Sequence, residues 1–410
     1  MLENVPRYDM QKPPMRQHLR FLIRLLSQPD LIKHKNTLRK IGMEGINPPY
    51  LLLCNHNAFM DFKVASKAVF PHRANFVVAI DGFLKREWLL RFIGCICTRK
   101  FVNDVQLVMQ LKRVIKRGDI AAIYPEARYS LCGTTAVLPD SIGKLAKFLG
   151  VPVVVLMCHG HHINSPFYSL PDHGVKGTQA EMTCIAGKDD VKRLSAEELN
   201  ARIRKAFIYD DFAWQKENNV RVTYEKRAEG LHKVLYQCPH CRAEYRMNSE
   251  GTRLFCQKCG KAWEMDELGE LHALEGETEF SHVPDWYEWE RMNVRREVEN
   301  GTYRYDLPVH VSALPNSKGY IDIGKARLVH DKDGFCLKGI AQGEPYCVTI
   351  PAADIYSCHI EYEYLGKYGD CVDLNTPTDT LYIYPEGEDF AVTKIALATE
   401  ELYEFVRAKG

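Results

Sequence analysis

From Tyr50 onward, short apolar runs alternate with amphipathic stretches. The runs YLLLC, ANFVVAI, GCICT, IAAIY and VPVVVLM are continuous and bounded, as expected of strands buried on both faces. Between them, FKVASKAVF, KREWLLRFI, VQLVMQLKRVIKRG and SIGKLAKFLG repeat apolar residues at helical spacing, and Gly118 and Gly150 stand where helices stop. This alternation predicts an α/β domain over residues 49–230, with a mixed or mainly parallel sheet flanked by helices. Residues 195–230 read as helical, with SAEEL supplying the cap.

The flanking segments follow other patterns. In MRQHLRFLIRLLSQ, Leu19, Leu22, Ile23 and Leu26 share one helical face, while Arg16, Arg20 and Arg24 share another. Residues 1–48 thus read as an amphipathic basic segment, packed on its own domain with solvated arginines or laid on anionic lipid. Past a helical linker over 276–300, residues 301–410 break into alternating stretches such as GYIDIG, GFCLKGI and TLYIYP, punctuated by Gly, Pro, Asp and Asn. A last helical stretch, ATEELYEFVRA, follows. The expectation is a small β-rich domain closed by a C-terminal helix, similar in element order to the pleckstrin-homology and GRAM group.

A chain of 410 residues, 46% hydrophobic and 26% charged, suits a soluble globular protein of two or three domains. No window approaches eighteen uncharged apolar residues, and the start MLENVPRYDM lacks the plan of a signal peptide. A cytoplasmic location is therefore expected, and in that reducing setting the 14 cysteines read as metal ligands or buried thiols rather than disulfides. The net charge of +1 hides a division. Residues 1–120 hold 21 Lys and Arg against 9 Asp and Glu, whereas residues 261–410 hold 14 against 29. The basic third is expected to attract phosphates or anionic headgroups, and the two ends to serve different purposes.

Candidate chemistry begins in LLLCNHNAFMDF, where a strand ends on Asn55 and His56 and Asp61 follows five residues later. With His56 in the turn and Asp61 in the first turn of the next helix, the carboxylate can fold back onto the ring, orient its tautomer and stabilise it once protonated. A second stretch, IAAIYPEARYSLCG, also leaves a strand and brings Glu126 and Arg128 to the same edge. A guanidinium there can hold a phosphate in two-point contact, or simply pair with the glutamate at the surface.

Taken in order, these stretches resemble the glycerophospholipid acyltransferases, the PlsC-like lysophospholipid and 1-acylglycerol-3-phosphate acyltransferases. NHNAFMD is similar to the first block through Asn55, His56 and Asp61, and GCICTRK to the second through Gly94 and Arg99. YPEARYS is similar to the third through Pro125, Glu126 and Arg128, and VPVVVLM to the fourth. The third block departs from the family at Ala127, where glycine is usual, and no Thr or Ser precedes Arg128. The resemblance implies a catalytic pair, His56 as general base and Asp61 as its orienting acid, with Asn55, Arg99, Glu126 and Arg128 binding substrate. It implies acyl-CoA or acyl-carrier protein as donor, and a lysophospholipid or acylglycerol phosphate as acceptor. It also implies peripheral association with the inner face of the membrane. Two other readings stay open: acylation of a different amphiphile such as a lipid-linked sugar, and an inactive lipid-binding scaffold. The segment GFLKREWLLRFIGCIC reads either as a packed helix and strand or as part of an acyl channel.

Over residues 231–275, CPHCRAEYRMNSEGTRLFCQKC carries two Cys-x2-Cys knuckles. Cys238, Cys241, Cys256 and Cys259 at this spacing predict a zinc ribbon with one structural Zn2+, an iron–sulfur centre and metal-free thiols being the alternatives. Four protein ligands leave no position for substrate. The ribbon lacks the basic and aromatic interleaving of a nucleic-acid surface, so no nucleic-acid partner is expected.

Overall fold

The computed structural model describes residues 5–169 and 171–409. The α/β part comprises α1 (Arg20–Lys33), β1 (Thr37–Ile41), β2 (Leu51–Cys54), α2 (Met60–Val69), β3 (Ala74–Ala79), α3 (Glu87–Phe92), β4 (Cys95–Thr98), α4 (Val105–Lys116), β5 (Ile120–Ile123), α5 (Ser141–Leu149), β6 (Val153–His159), α6 (His161–Asn164), β7 (Gln179–Ala186), α7 (Lys188–Arg193), α8 (Ala196–Ala206) and α9 (Asp211–Glu217). Its seven strands form one sheet in the order β1-β7-β6-β2-β5-β3-β4. β2 pairs in parallel with both β5 and β6, and β7 runs antiparallel to β6. The sheet is mixed and mainly parallel, as expected. Because side chains alternate across it, Leu51 and Leu53 face the layer of α4, α5 and α8, while Leu52 and Cys54 face α2.

Four details differ from the sequence reading. The expected N-terminal segment also supplies β1, an edge strand paired with β7. Its helix starts at Arg20 rather than Met15, because the preceding residues are extended and tied to the sheet. Gln17 accepts from the amide of Ala74 at 3.1 Å, and the Met15 carbonyl accepts from Asn75 at 2.7 Å. α1 buries Ile23, Ser27 and Leu31 and leaves Phe21, Leu22, Leu25 and Leu26 exposed, so Leu22 and Leu26 of the predicted apolar face look away from the protein while Ile23 of that face is buried. Finally, within residues 195–230 helix ends at Glu217, although the SAEEL cap is present as a reciprocal pair between Ser195 and Glu198.

The ribbon segment forms β8 (Met247–Glu250), β9 (Arg253–Cys256), β10 (Ala262–Met265) and β11 (Leu271–Ala273), one antiparallel sheet, and the linker forms α10 (Val283–Glu299). Then come β12 (Tyr305–Leu314), β13 (Ile321–Asp331), β14 (Gly334–Ala341), β15 (Glu344–Pro351), β16 (His359–Glu361), β17 (Cys371–Asn375) and β18 (Thr380–Pro385), and last α11 (Val392–Lys409). These seven strands make an antiparallel sheet, order β15-β14-β13-β12-β18-β17-β16, against which α11 packs. One buried apolar cluster runs from Leu131, Ile163 and Phe212 of the α/β part through Trp263 and Trp286 to Val311 and Leu397. The regions therefore share a core.

Candidate active site

β2 is the hub of the sheet: the chain moves from it toward β3 and β4, returns to β5, and then crosses to β6 on the other side. Loops leaving the C-terminal ends of β2, β5 and β6 converge at this switch point, where α/β sheets gather ligands. His56 follows β2, Glu126 follows β5 and His161 follows β6.

The first and third motif stretches are laced together. The backbone amide of His56 donates to Glu126 Oε2 at 2.7 Å, and the amide of Ser130 donates to the His56 carbonyl at 2.8 Å. The His56 ring lies between Tyr124 and Tyr129, with centroid separations of 4.3 and 4.2 Å. It is 24% exposed, and its Nδ1 is 3.4 Å from Asp61 Oδ2. Asp61, in the first turn of α2, is fully buried. The same Oδ2 accepts the amides of Asn57 at 2.6 Å and Ala58 at 2.9 Å. Its Oδ1 accepts from His161 Nδ1 at 2.5 Å. Burial alone would raise the Asp61 carboxyl, but hydrogen bonds from His161 and His56 hold it down at about 2. Asp61 is thus a fixed anion at neutral pH, and the ring nitrogen facing away from it, Nε2, has no hydrogen-bond partner among the described residues.

The side chains expected to bind substrate are engaged elsewhere. Asn55 is fully buried and pairs both ways with the Cys158 backbone, donating to its carbonyl at 2.9 Å and accepting its amide at 2.8 Å, which ties β2 to β6. Glu126 is buried beneath the turn, accepting the Ala136 amide at 2.9 Å and the Tyr209 hydroxyl at 3.3 Å as well as the His56 amide. Burial pushes its carboxyl up to about 8, against the pull of those amides and of the Tyr209 hydroxyl. It shapes the loop that carries His56.

Arg99 and Arg128 both turn into the C-terminal region. Arg99 donates to the carbonyls of Leu314 (3.1 Å), Pro315 (3.0 Å) and Thr378 (2.7 Å) and to the Thr380 hydroxyl at 2.7 Å. Arg128 is buried and pairs with Glu400 of α11 at 2.6 Å. Glu400 also accepts from Arg291 at 2.6 Å and from Ser357 at 2.7 Å. Next to Arg99, half-buried Lys100 lies between Asp81 at 3.6 Å and Asp373 of β17 at 3.7 Å. Beyond Tyr129, Phe167 touches His359 and Tyr362, so the C-terminal sheet walls this side of the site.

Ala127 has φ of +54°, the left-handed conformation that the glycine usual in this block adopts without strain. The methyl group leaves the turn intact: the Ala127 amide donates to the Tyr124 carbonyl at 3.0 Å.

The four ribbon cysteines converge as predicted. Sγ separations are 3.8 Å for Cys238 and Cys259 and 3.7 Å for Cys241 and Cys256, and all four sulfurs lie within 4.8 Å of one another. A tetrahedral ion with metal–sulfur bonds of about 2.3 Å needs sulfurs about 3.8 Å apart, so the donor set fits one metal ion.

Sequence reasoning missed His161 and Tyr209. The signal for His161 is the run HGHH that starts two residues after the fourth block ends, which a strand adjacent to β2 delivers to the same edge. Tyr209, whose hydroxyl lies 3.0 Å from Asn57 Oδ1 and 3.3 Å from Glu126 Oε1, carries no local pattern.

No curated protein matches the chain. Among solved structures, the 1-acyl-sn-glycerophosphate acyltransferase PlsC of Thermotoga maritima is similar at 16% identity and a TM-score of 0.38, over 46% of this chain and 76% of that one. Residues 31–166, which run from the end of α1 to just past α6 and include His56, Asp61, Glu126 and His161, match the model of the Acyltransferase family.

Proposed function

We propose that the protein moves a fatty acyl group from an acyl-CoA or acyl-carrier-protein thioester to a hydroxyl of a lysophospholipid or acylglycerol phosphate. The observation that carries this reading is the His56–Asp61 pair at the switch point, inside the region that matches the family. The open Nε2 takes the acceptor's proton as its oxygen attacks the thioester carbonyl, Asp61 steadies the imidazolium, and the thiolate leaves. An acyl-enzyme is disfavoured. Burial raises the Cys54 thiol well above its ordinary value, and the Ser130 hydroxyl already donates to the Thr134 carbonyl at 2.6 Å. The test offers purified protein both donors with a panel of acceptors. Transfer to lysophospholipids or acylglycerol phosphates supports the reading, whereas binding without turnover across the panel favours a lipid-binding scaffold.

A second reading has its own observation. Because Arg99 and Arg128 are spent on the C-terminal region, no guanidinium of the expected pair stands free beside His56. This favours an acceptor hydroxyl on an amphiphile without an adjacent phosphate, such as a glycolipid. Including neutral lipid acceptors in the panel separates the two.

We further assign the Cys238, Cys241, Cys256 and Cys259 cluster to one structural Zn2+, which would supply folding energy to a segment with a small core of its own. Fresh, reduced protein is expected to hold about one equivalent by elemental analysis, and chelation to lower the Tm. Less than about half an equivalent would overturn the assignment.

The exposed Phe21, Leu22, Leu25 and Leu26, beside Arg20 and Arg24, supply an apolar and basic face for membrane contact on the cytoplasmic side. No helix among the described residues is long and apolar enough to cross a membrane. Leu25→Glu with Leu26→Glu is expected to lower sedimentation with anionic vesicles at least about tenfold, since each loses roughly 1.5–3 kcal/mol of apolar burial in the interface. Unchanged sedimentation would exclude α1 as the contact.

A further inference from the structure

The carboxylate that steadies His56 does not serve His56 alone. Asp61 lies between two imidazoles, with His56 on Oδ2 at 3.4 Å and His161 on Oδ1 at 2.5 Å. The two rings differ in surroundings. His56 is partly exposed, whereas the His161 side chain is wholly buried and its Nε2 has no hydrogen-bond partner. An ionised carboxylate can only accept, so Nδ1 of His161 carries the hydrogen of that bond. Resting on the proposed transfer reaction, we propose that His161 is a positioning residue that acts through Asp61. Its Nδ1–H fixes the carboxylate plane and withdraws charge from it, so that Oδ2 orients His56 without taking its proton.

The geometry requires such a donor. Oδ2 is already crowded by the amides of Asn57 and Ala58, which leaves Oδ1 buried with His161 as its donor. Without that bond, a buried acceptor lies bare and the carboxylate is free to rotate. α6 begins one residue after β6, and Gly160 between them has φ of +82°. A Cβ there would come 2.7 Å from Trp214, so the tight turn that swings His161 under Asp61 is open only to glycine.

Burial also acts on the remaining titratable groups around the pair, on each element packed against it. Burial holds Cys54 on β2, Cys158 on β6, Tyr124 after β5 and Tyr209 before α9 well above their ordinary values. Burial also raises Tyr129, despite Lys100 beyond it, where Asp81 and Glu361 lie as well. Burial pushes the carboxyls of Glu126 up to about 8 and of Glu361 on β16 up to about 7, so both lose charge toward acid pH. Asp61 is then the negative charge that governs His56 on the acid side of the rate profile.

Three proteins test this: the full chain, His161→Phe, which keeps a ring without a donor, and His161→Gln, which restores a donor. In His161→Phe, kcat is expected to fall about tenfold or more with KM little changed. The acid limb of kcat/KM should move to higher pH, because the carboxylate no longer shares its charge. His161→Gln should return the limb most of the way. An unmoved limb, with both variants lowered alike, assigns His161 to packing and overturns the proposal. A readout independent of turnover is the strongly hydrogen-bonded Nδ1 proton of His161 in the proton NMR spectrum. It should persist as a downfield resonance in His56→Ala and vanish in His161→Phe, and its absence from the wild-type chain would also overturn the proposal. Should the wild-type chain transfer acyl groups to no acceptor, the proposed reaction falls, while the NMR arm still decides the hydrogen bond.

Discussion

His56→Ala is expected to abolish most acyl transfer, lowering kcat by about 10²–10⁴-fold, the range that a positioned general base supplies. The fold should survive the change. The bonds that place the turn run through the His56 backbone, from its amide to Glu126 and to its carbonyl from Ser130, and both remain when the ring is removed. KM should change little, because the loss falls on a proton transfer rather than on substrate contacts. Progress curves with the best acceptor of the panel, run beside a vesicle-binding control, check it. Equal rates in the two proteins would remove His56 from the chemistry.

Glu400→Ala is expected to destabilise the folded chain by about 3–5 kcal/mol, the usual cost of stripping one partner from a buried ion pair. Two cations depend on that carboxylate: Arg128 is 3% exposed and Arg291 15%, and each lies 2.6 Å from a Glu400 oxygen. Alanine would leave the Arg128 guanidinium buried without its counter-charge, and Arg291 with only Glu288 at 3.3 Å and Glu401 at 3.4 Å. The midpoint of urea unfolding, followed by circular dichroism, gives the number. A loss under about 1 kcal/mol would mean that water compensates the arginines. Replacing Arg128 and Glu400 together by Met and Leu should recover much of the loss, since an apolar pair of similar volume is often neutral or better. The pair also sets a pH dependence. Burial alone would raise the Glu400 carboxyl, but Arg128 and Arg291 hold it below its ordinary value of 4.5. Its contribution is therefore present above that value and is lost as pH falls through the depressed one.

The parts of the site legible in the sequence are those that local chain geometry decides. A strand, a turn and a helix start lie within twelve residues of one another around His56 and Asp61, so spacing alone brings ring and carboxylate together. The ribbon cysteines are legible for the same reason. Partnerships across long separations were not. Arg128 finds its carboxylate 272 positions away and Arg99 its hydroxyl 281 positions away, and nothing near either residue signals this. The charge division is visible in the sequence, but the pairing of its two ends is not. Its acidic end meets its basic end, as Arg7 with Asp379 and Lys100 with Asp373 illustrate. For α1, helical spacing identified an apolar face, but whether that face points to the core depends on what the extended residues before it do. Both sides of this helix carry large apolar groups, so period alone did not decide.

The anchoring of Arg99 and Arg128 bears on how the protein can be dissected. A fragment ending near residue 230 would retain every family motif yet lose the acceptors that keep two interior cations tolerable. Such a fragment should emerge as aggregated polypeptide rather than as a minimal enzyme, because its final strand and helix are scaffolding built last but needed throughout.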